Sequence, residues 1–141
     1  MTAICRTVLD EEKVVKPVEI ECIITDDTTI QRLNKQFRNI DEPTDVLSFA
    51  FRNARTDAQG ASFPEVPDSP EILGQIIVSF PRATMQAASR CHGVDRELTI
   101  LVVHGILHLL GYDHQVPADN RKMRQREKHI IEILRDKPGL A

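Results

Sequence analysis

The sequence predicts a single α+β domain over residues 1–141: a mixed sheet of three or four strands, surrounding helices and one central buried helix. Three observations carry that reading. Short runs with strand chemistry are interspersed with longer stretches of helical periodicity. One such stretch, ELTILVVHGILHLL, is apolar around nearly its whole circumference, as expected of a helix enclosed on all sides. No repeat, low-complexity tract or linker divides the 141 residues, a length that buries a sizeable core without crosslinks.

Thr2 to Lys13 reads as a short amphipathic helix with Ile4, Val8 and Leu9 on one side. Pro17 opens a strand, VEIECIIT, in which Val18, Ile20, Cys22 and Ile24 alternate with Glu19 and Glu21. Asp26 or Asp27 caps the next helix, whose buried stripe is expected to be Ile30, Leu33 and Phe37. RNIDEPTD makes a turn, and DVLSFAF after it is a short strand. From Arg52 to Glu71, Gly60, Pro64, Pro67 and Pro70 sit among polar residues without any period, which predicts a long surface loop. GQIIVSF is the next strand, and Pro81 suits the first turn of the helix that follows it. Gly93 stops that helix, and Asp95 caps the central one, which runs to Gly111. A last helix begins near Pro117, carries Met123, Ile130, Ile131 and Leu134 at helical spacing, and ends at Pro138 and Gly139.

Composition narrows the function classes. Hydrophobic residues make up 41% and charged residues 28%, which excludes disorder over most of the chain. Aromatics are 4% and Trp is absent, so the core is mainly aliphatic. No apolar run approaches the ~20 residues that span a bilayer. Met1 to Glu12 lacks the basic flank and apolar stretch of a secretory signal. Cys5, Cys22 and Cys91 are odd in number and scattered, which favours a reducing cytoplasm over a disulfide scaffold. A net charge of −3 argues against a generally basic nucleic-acid coat but leaves room for a local phosphate site. Residues 38–75 hold 3 basic and 7 acidic side chains, whereas residues 115–141 hold 7 basic and 4 acidic ones. The basic side of the last helix reads first as a solvated face and second as a contact surface.

The chemistry concentrates in three histidines. His104 and His108 are four apart on a helix, so both imidazoles project from one face about 6 Å apart along the axis. At that spacing two ring nitrogens can meet one ion at about 2.0–2.1 Å each. Gly111 breaks the helix, and His114 can fold back as a third ligand. The string HxxxHxxGxxH has the ligand spacing of the metzincin zinc enzymes. Three neutral nitrogens with an open position describe a catalytic site. A lone histidine on an apolar helix is ordinarily a core residue; three at this spacing, with the glycine in register, are not. Protease zincins carry Glu directly after the first His as the base, and here that position is Gly105. The metal site survives that departure and the protease reading does not.

HGILHLLGYDH resembles the signature of the bacterial YbeY endoribonuclease family, small metal-dependent enzymes of ribosomal RNA maturation. Arg38 followed by DEPTDVLSF, the strand LGQIIVS and the tail MRQREKHIIEIL are similar to further blocks of that family, together covering about residue 20 to residue 134. There are three departures: Gln75 where the family usually has Asp, Ala50 for a usual Pro, and a short N-terminus without the family's opening strand, the start being truncated or divergent.

The resemblance implies a cytoplasmic, single-strand-specific endoribonuclease that processes ribosomal RNA, including the 3′ end of the small-subunit RNA, and serves ribosome quality control. Its partners would be single-stranded RNA, ribosomal RNA and the small ribosomal subunit, with no membrane. His104, His108 and His114 would bind one divalent ion, zinc first, with nickel or cobalt also suited to imidazole. Arg38 matches the family's functionally important arginine, and a fixed guanidinium would hold a phosphodiester and offset charge developing on its oxygens. Taken alone, an arginine at a helix end is a partner for the helix dipole. Asp113 reads equally as a carboxylate orienting an imidazole and as a turn residue. Asp45 and Ser48 read as structural, Cys91, Met85 and Tyr112 as packing residues, and His92 and His129 as surface histidines. Two other readings stand beside this one: a hydrolase of another class, peptidase-like, with a base from elsewhere in the chain, and a ribosome-associated protein whose metal is structural.

Overall fold

The computed structural model describes residues 1–51, 69–113 and 115–137. In chain order they form α1 (Thr2–Glu11), β1 (Val18–Thr25), α2 (Asp27–Arg38), β2 (Val46–Ala50), β3 (Glu71–Ser79), α3 (Phe80–Ser89), α4 (Val94–Leu109) and α5 (Pro117–Arg135). The strands make a mixed three-stranded sheet in the order β1-β3-β2, with β1 parallel and β2 antiparallel to β3. This is the expected α+β architecture. Of the loop expected at 52–71, residues 52–68 lie outside the described residues, as do Pro138 and Gly139.

The middle strand divides the core by alternation. Ile76 and Val78 join the larger cluster with Val102, Ile106 and Leu107 of α4, Val8 of α1 and Met123, Ile130 and Leu134 of α5. Ile77 turns to the other face and packs with Leu47 of β2 and Ile30 of α2. α4 is therefore enclosed by the sheet and by α1, α3 and α5, which explains why its sequence is apolar all round. The expected strand GQIIVSF begins earlier and ends one residue sooner. Glu71 donates its N–H to Pro17 O at 2.9 Å and pairs with Val18, while the buried Ser79 caps α3 by accepting from Arg82 N at 3.3 Å. Between Glu19 and Ile20 the register slips across a bulge, and Gly74 takes a φ of +153° there. A Cβ at Gly74 would lie 2.0 Å from Phe49 O, so no other residue fits.

Several local expectations need correction. Gly93, not Asp95, is the N-cap of α4; Asp95 lies in its first turn with Glu97. Ile24, at the end of edge strand β1, is 47% exposed. Met85 and Cys91 are exposed rather than packed. Phe37 is 60% exposed, and Asn34 is buried in the same stretch, donating to Glu42 O at 2.9 Å. β2 is an edge strand, and its Phe49 is what the last turn of α2 meets. His92 is not a free surface histidine. Its Nε2 lies 3.0 Å from the fully buried Glu97 carboxylate, which also accepts from Arg90 Nη1 at 2.5 Å. The Arg90 cation and the N-terminus of α4 offset the cost of burying that charge.

Cys5 on α1 and Cys22 on β1, 17 positions apart in sequence, share a side-chain hydrogen bond. Accepting from the Cys22 thiol favours the Cys5 thiolate, and although burial opposes this, the Cys5 thiol is pulled down to about 7. The same bond and burial push Cys22 well up. At pH 7 iodoacetamide should therefore modify Cys5 at least about tenfold faster than Cys22, because the thiolate is the nucleophile. Cys22→Ala should slow the Cys5 reaction at that pH. Equal rates at the two sites by peptide mass spectrometry would overturn the assignment.

Candidate metal centre

α4 carries His104 and His108 on one face, one turn apart, and the structure turns both rings inward to one another. Their Nε2 atoms are 3.0 Å apart. The other nitrogen of each ring is already engaged: His104 Nδ1 with a Glu127 carboxylate oxygen of α5, and His108 Nδ1 with Tyr112 O at 2.9 Å. A carboxylate and a carbonyl accept only, so each Nδ1 carries the proton and each Nε2 presents a lone pair. Two lone pairs aimed at one another across 3.0 Å repel unless a cation or a proton sits between them. The gap is a few tenths of an ångström under the ~3.3 Å that tetrahedral binding at zinc distances requires. The donor set therefore fits a divalent ion of the kind imidazole prefers. Among the described residues no group of three or more His, Cys, Asp or Glu is disposed to hold a metal; the third expected ligand, His114, lies outside them.

The rings are held by residues that sequence reasoning missed. Glu127, with a side chain 19% exposed, is the carboxylate on His104. Asp113 has a turn contact, accepting from Gln115 N at 3.1 Å. Tyr112, read as a packing residue, serves His108 through its carbonyl and is itself anchored: its hydroxyl donates to Glu12 Oε2 at 2.7 Å. Arg126 Nε donates to Glu12 Oε1 at 2.7 Å and its Nη2 to Glu11 O at 3.1 Å. Burial and the Glu12 carboxylate push the Tyr112 phenol above its ordinary range, which keeps it a donor. Consecutive residues of α5, Arg126 and Glu127, thus control the two imidazoles by separate routes. The 3.6-residue period marks both as inward of the basic face, where Arg121, Lys122, Arg124 and Lys128 are exposed. That period was the available signal; the partner 23 residues away was not in it.

Arg38 ends α2, and Asn39 beyond it takes the left-handed conformation, φ 58°, that closes the helix. Arg38 Nη2 donates to Ser48 O at 3.2 Å, and its guanidinium carbon lies 5.9 Å from the centre of the Phe49 ring. The Ser48 hydroxyl lies 3.1 Å from the point where a Cβ of Gly105 would stand, one residue from His104. One strand residue therefore touches both the arginine and the helix of the histidines. Asp45 is structural, as expected: it accepts from Val46 N at 2.8 Å and from Gln86 Nε2 at 3.0 Å. The Gln75 amide donates to Glu21, its register partner on β1, where an Asp would set two carboxylates opposite each other. His129 makes a surface contact with Glu11. The peptidase reading loses ground at Gly105, which packs directly on Ile76 and leaves no room for a base.

A family model described as Endoribonuclease YbeY matches residues 1–135. Proteins named Endoribonuclease YbeY include one from Roseiflexus sp. (strain RS-1), 50% identical over 127 residues, covering 89% of this chain and 76% of that protein. The one from Chloroflexus aurantiacus (strain ATCC 29366) is 47% identical over 128 residues, covering 90% of this chain and 80% of that protein. The one from Desulforamulus reducens is 40% identical over 132 residues, with coverages of 94% and 82%. The fold is similar to the solution structure of TM1509 from Thermotoga maritima, with a TM-score of 0.59 and 26% identity over 93% of this chain and 78% of that one. On the length and identity of these matches, the chain belongs to the endoribonuclease YbeY family.

Proposed function

We propose that this chain is a cytoplasmic, metal-dependent endoribonuclease acting on single-stranded RNA in ribosomal RNA processing, including the 3′ end of the small-subunit RNA. Its bond of attack is the RNA phosphodiester, as its family's name states. The observation that carries the metal part of this reading is the pair of Nε2 atoms facing across 3.0 Å with both Nδ1 positions tied. Among the described residues no helix is long and apolar enough to cross a membrane. His104, His108 and His114 hold the ion, zinc first, with nickel or cobalt as alternatives. Bound there, a divalent ion supplies Lewis acidity to the phosphoryl group.

The remaining work falls to the chain's own residues. Glu127 and the Tyr112 carbonyl fix the imidazole tautomers and ring planes, so the site does not rearrange when charge develops. Arg38 binds a non-bridging phosphate oxygen and opposes the charge accumulating on it; Ser48 O steadies the guanidinium and leaves it other N–H groups to donate. Ribosomal RNA and the small subunit are the partners this reading names. Incubating metal-loaded protein with single-stranded RNA, duplex RNA and casein tests it, with cleavage expected of the first alone. Arg38→Ala should keep its metal, measured by atomic spectroscopy, while kcat falls about 10²–10³-fold. Loss of metal and cleavage together would reduce Arg38 to a structural residue.

A further inference from the structure

The chain has six aromatic residues, Tyr112 and five Phe. Two of the five meet beside Arg38. Phe37 and Phe49 stand with ring centres 5.3 Å apart at 60°, edge to face, and the Arg38 guanidinium lies over Phe49. Phe37 belongs by periodicity to the buried stripe of α2, yet it is 60% exposed. An exposed phenyl ring costs solvation, and nothing about the helix requires one there. The ring is buttressed by Phe49, and α2 is closed just beyond it by Asn39 N donating to Lys35 O at 3.1 Å. Among the described residues Arg38 makes no ion pair with a carboxylate, so its charge is available to an anion.

We propose that Phe37, backed by Phe49, is a stacking subsite for an unpaired base flanking the phosphate that Arg38 holds. The inference rests on the reading of Arg38 as a phosphate ligand. Every base has a π-face, and proteins that take single-stranded nucleic acid combine cationic side chains on the backbone with aromatic platforms for the bases. A guanidinium and an exposed phenyl on adjacent residues supply both parts within one nucleotide's reach. In a duplex both faces of a base are already stacked, so the subsite selects single strands without reading sequence. A chain with a net charge of −3 would gain from this, since stacking adds binding that does not depend on a generally basic surface.

The absence of tryptophan makes the test direct, because Phe37→Trp introduces the sole indole. Its fluorescence should be quenched by a short single-stranded RNA with phosphorothioate linkages, added to slow cleavage. An abasic oligonucleotide of equal length and charge should leave it unquenched. In cleavage assays Phe37→Ala should raise KM for single-stranded RNA about tenfold, with a smaller change in kcat. Phe37→Tyr should restore KM, and Phe37→Leu, which is apolar but cannot stack in the same way, should not. Equal quenching by both oligonucleotides, or wild-type KM in Phe37→Leu, would overturn the proposal. If wild-type protein left RNA intact while base-dependent quenching persisted, the subsite would stand and the nuclease reading would fall.

Discussion

His108→Ala should lose its metal and all RNA cleavage together, the largest effect on activity expected of any single substitution. Removing this imidazole deletes one of two Nε2 donors that face each other across 3.0 Å, and the Tyr112 carbonyl loses its partner with it. Glu127→Gln is the graded counterpart. It keeps an oxygen acceptor beside His104 Nδ1 but removes the charge that holds the tautomer and raises ligand basicity. Metal affinity, measured by competition with a chromophoric chelator, should fall about 10- to 100-fold, the range for losing such a partner. Cleavage that survived in His108→Ala would trace to a contaminating nuclease and remove the enzymatic claim. Wild-type affinity in Glu127→Gln would show that Glu127 is a bystander.

Gly105→Glu should unfold the protein rather than create a peptidase. It would restore the base that protease zincins carry after their first histidine, and motif logic alone would expect a gain. Packing says otherwise. A Cβ at this position would lie 2.8 Å from Ile76 Cγ2 and 3.1 Å from both Ile76 Cδ1 and Ser48 Oγ. Ile76 is fully buried on the middle strand and cannot yield without moving β3. Overpacking of this kind costs about 1–3 kcal/mol, and an unpaired buried carboxylate adds several more. Gly105→Ala isolates the first term. Helix propensity alone would stabilise it by about 1 kcal/mol, so a lowered melting temperature by circular dichroism means that packing wins. A melting temperature at or above that of the wild type would show that the helix and sheet have room to spare.

The two predictions mark where sequence reading stopped. Strand β1, the helix starts at Asp26 and Pro117 and the enclosed α4 were legible because local chemistry decides them: alternation, a capping aspartate, a proline in the first turn and an unbroken apolar circumference. His104 and His108 were legible for the same reason, since four residues on a helix fix their relation. What could not be read was long-range. Glu127 lies 23 residues from His104, and the Glu12–Arg126 contact spans 114 residues. Cys5 and Cys22 looked scattered and are neighbours. Phe37 failed as a core residue because β2, which it faces, is the sheet's edge, a topological fact absent from the pattern of α2.

The dependence of His104 on Glu127, and of Glu12, which anchors Tyr112, on Arg126, also sets an order of assembly during synthesis. The ribosome makes the histidines of α4 before it makes the residues that orient them. Until α5 has left the exit tunnel and docked, the His104 imidazole lacks its Glu127 partner, and the Glu12 that anchors the Tyr112 hydroxyl lacks Arg126. A chain whose α5 has not yet docked is therefore a poor nuclease by construction.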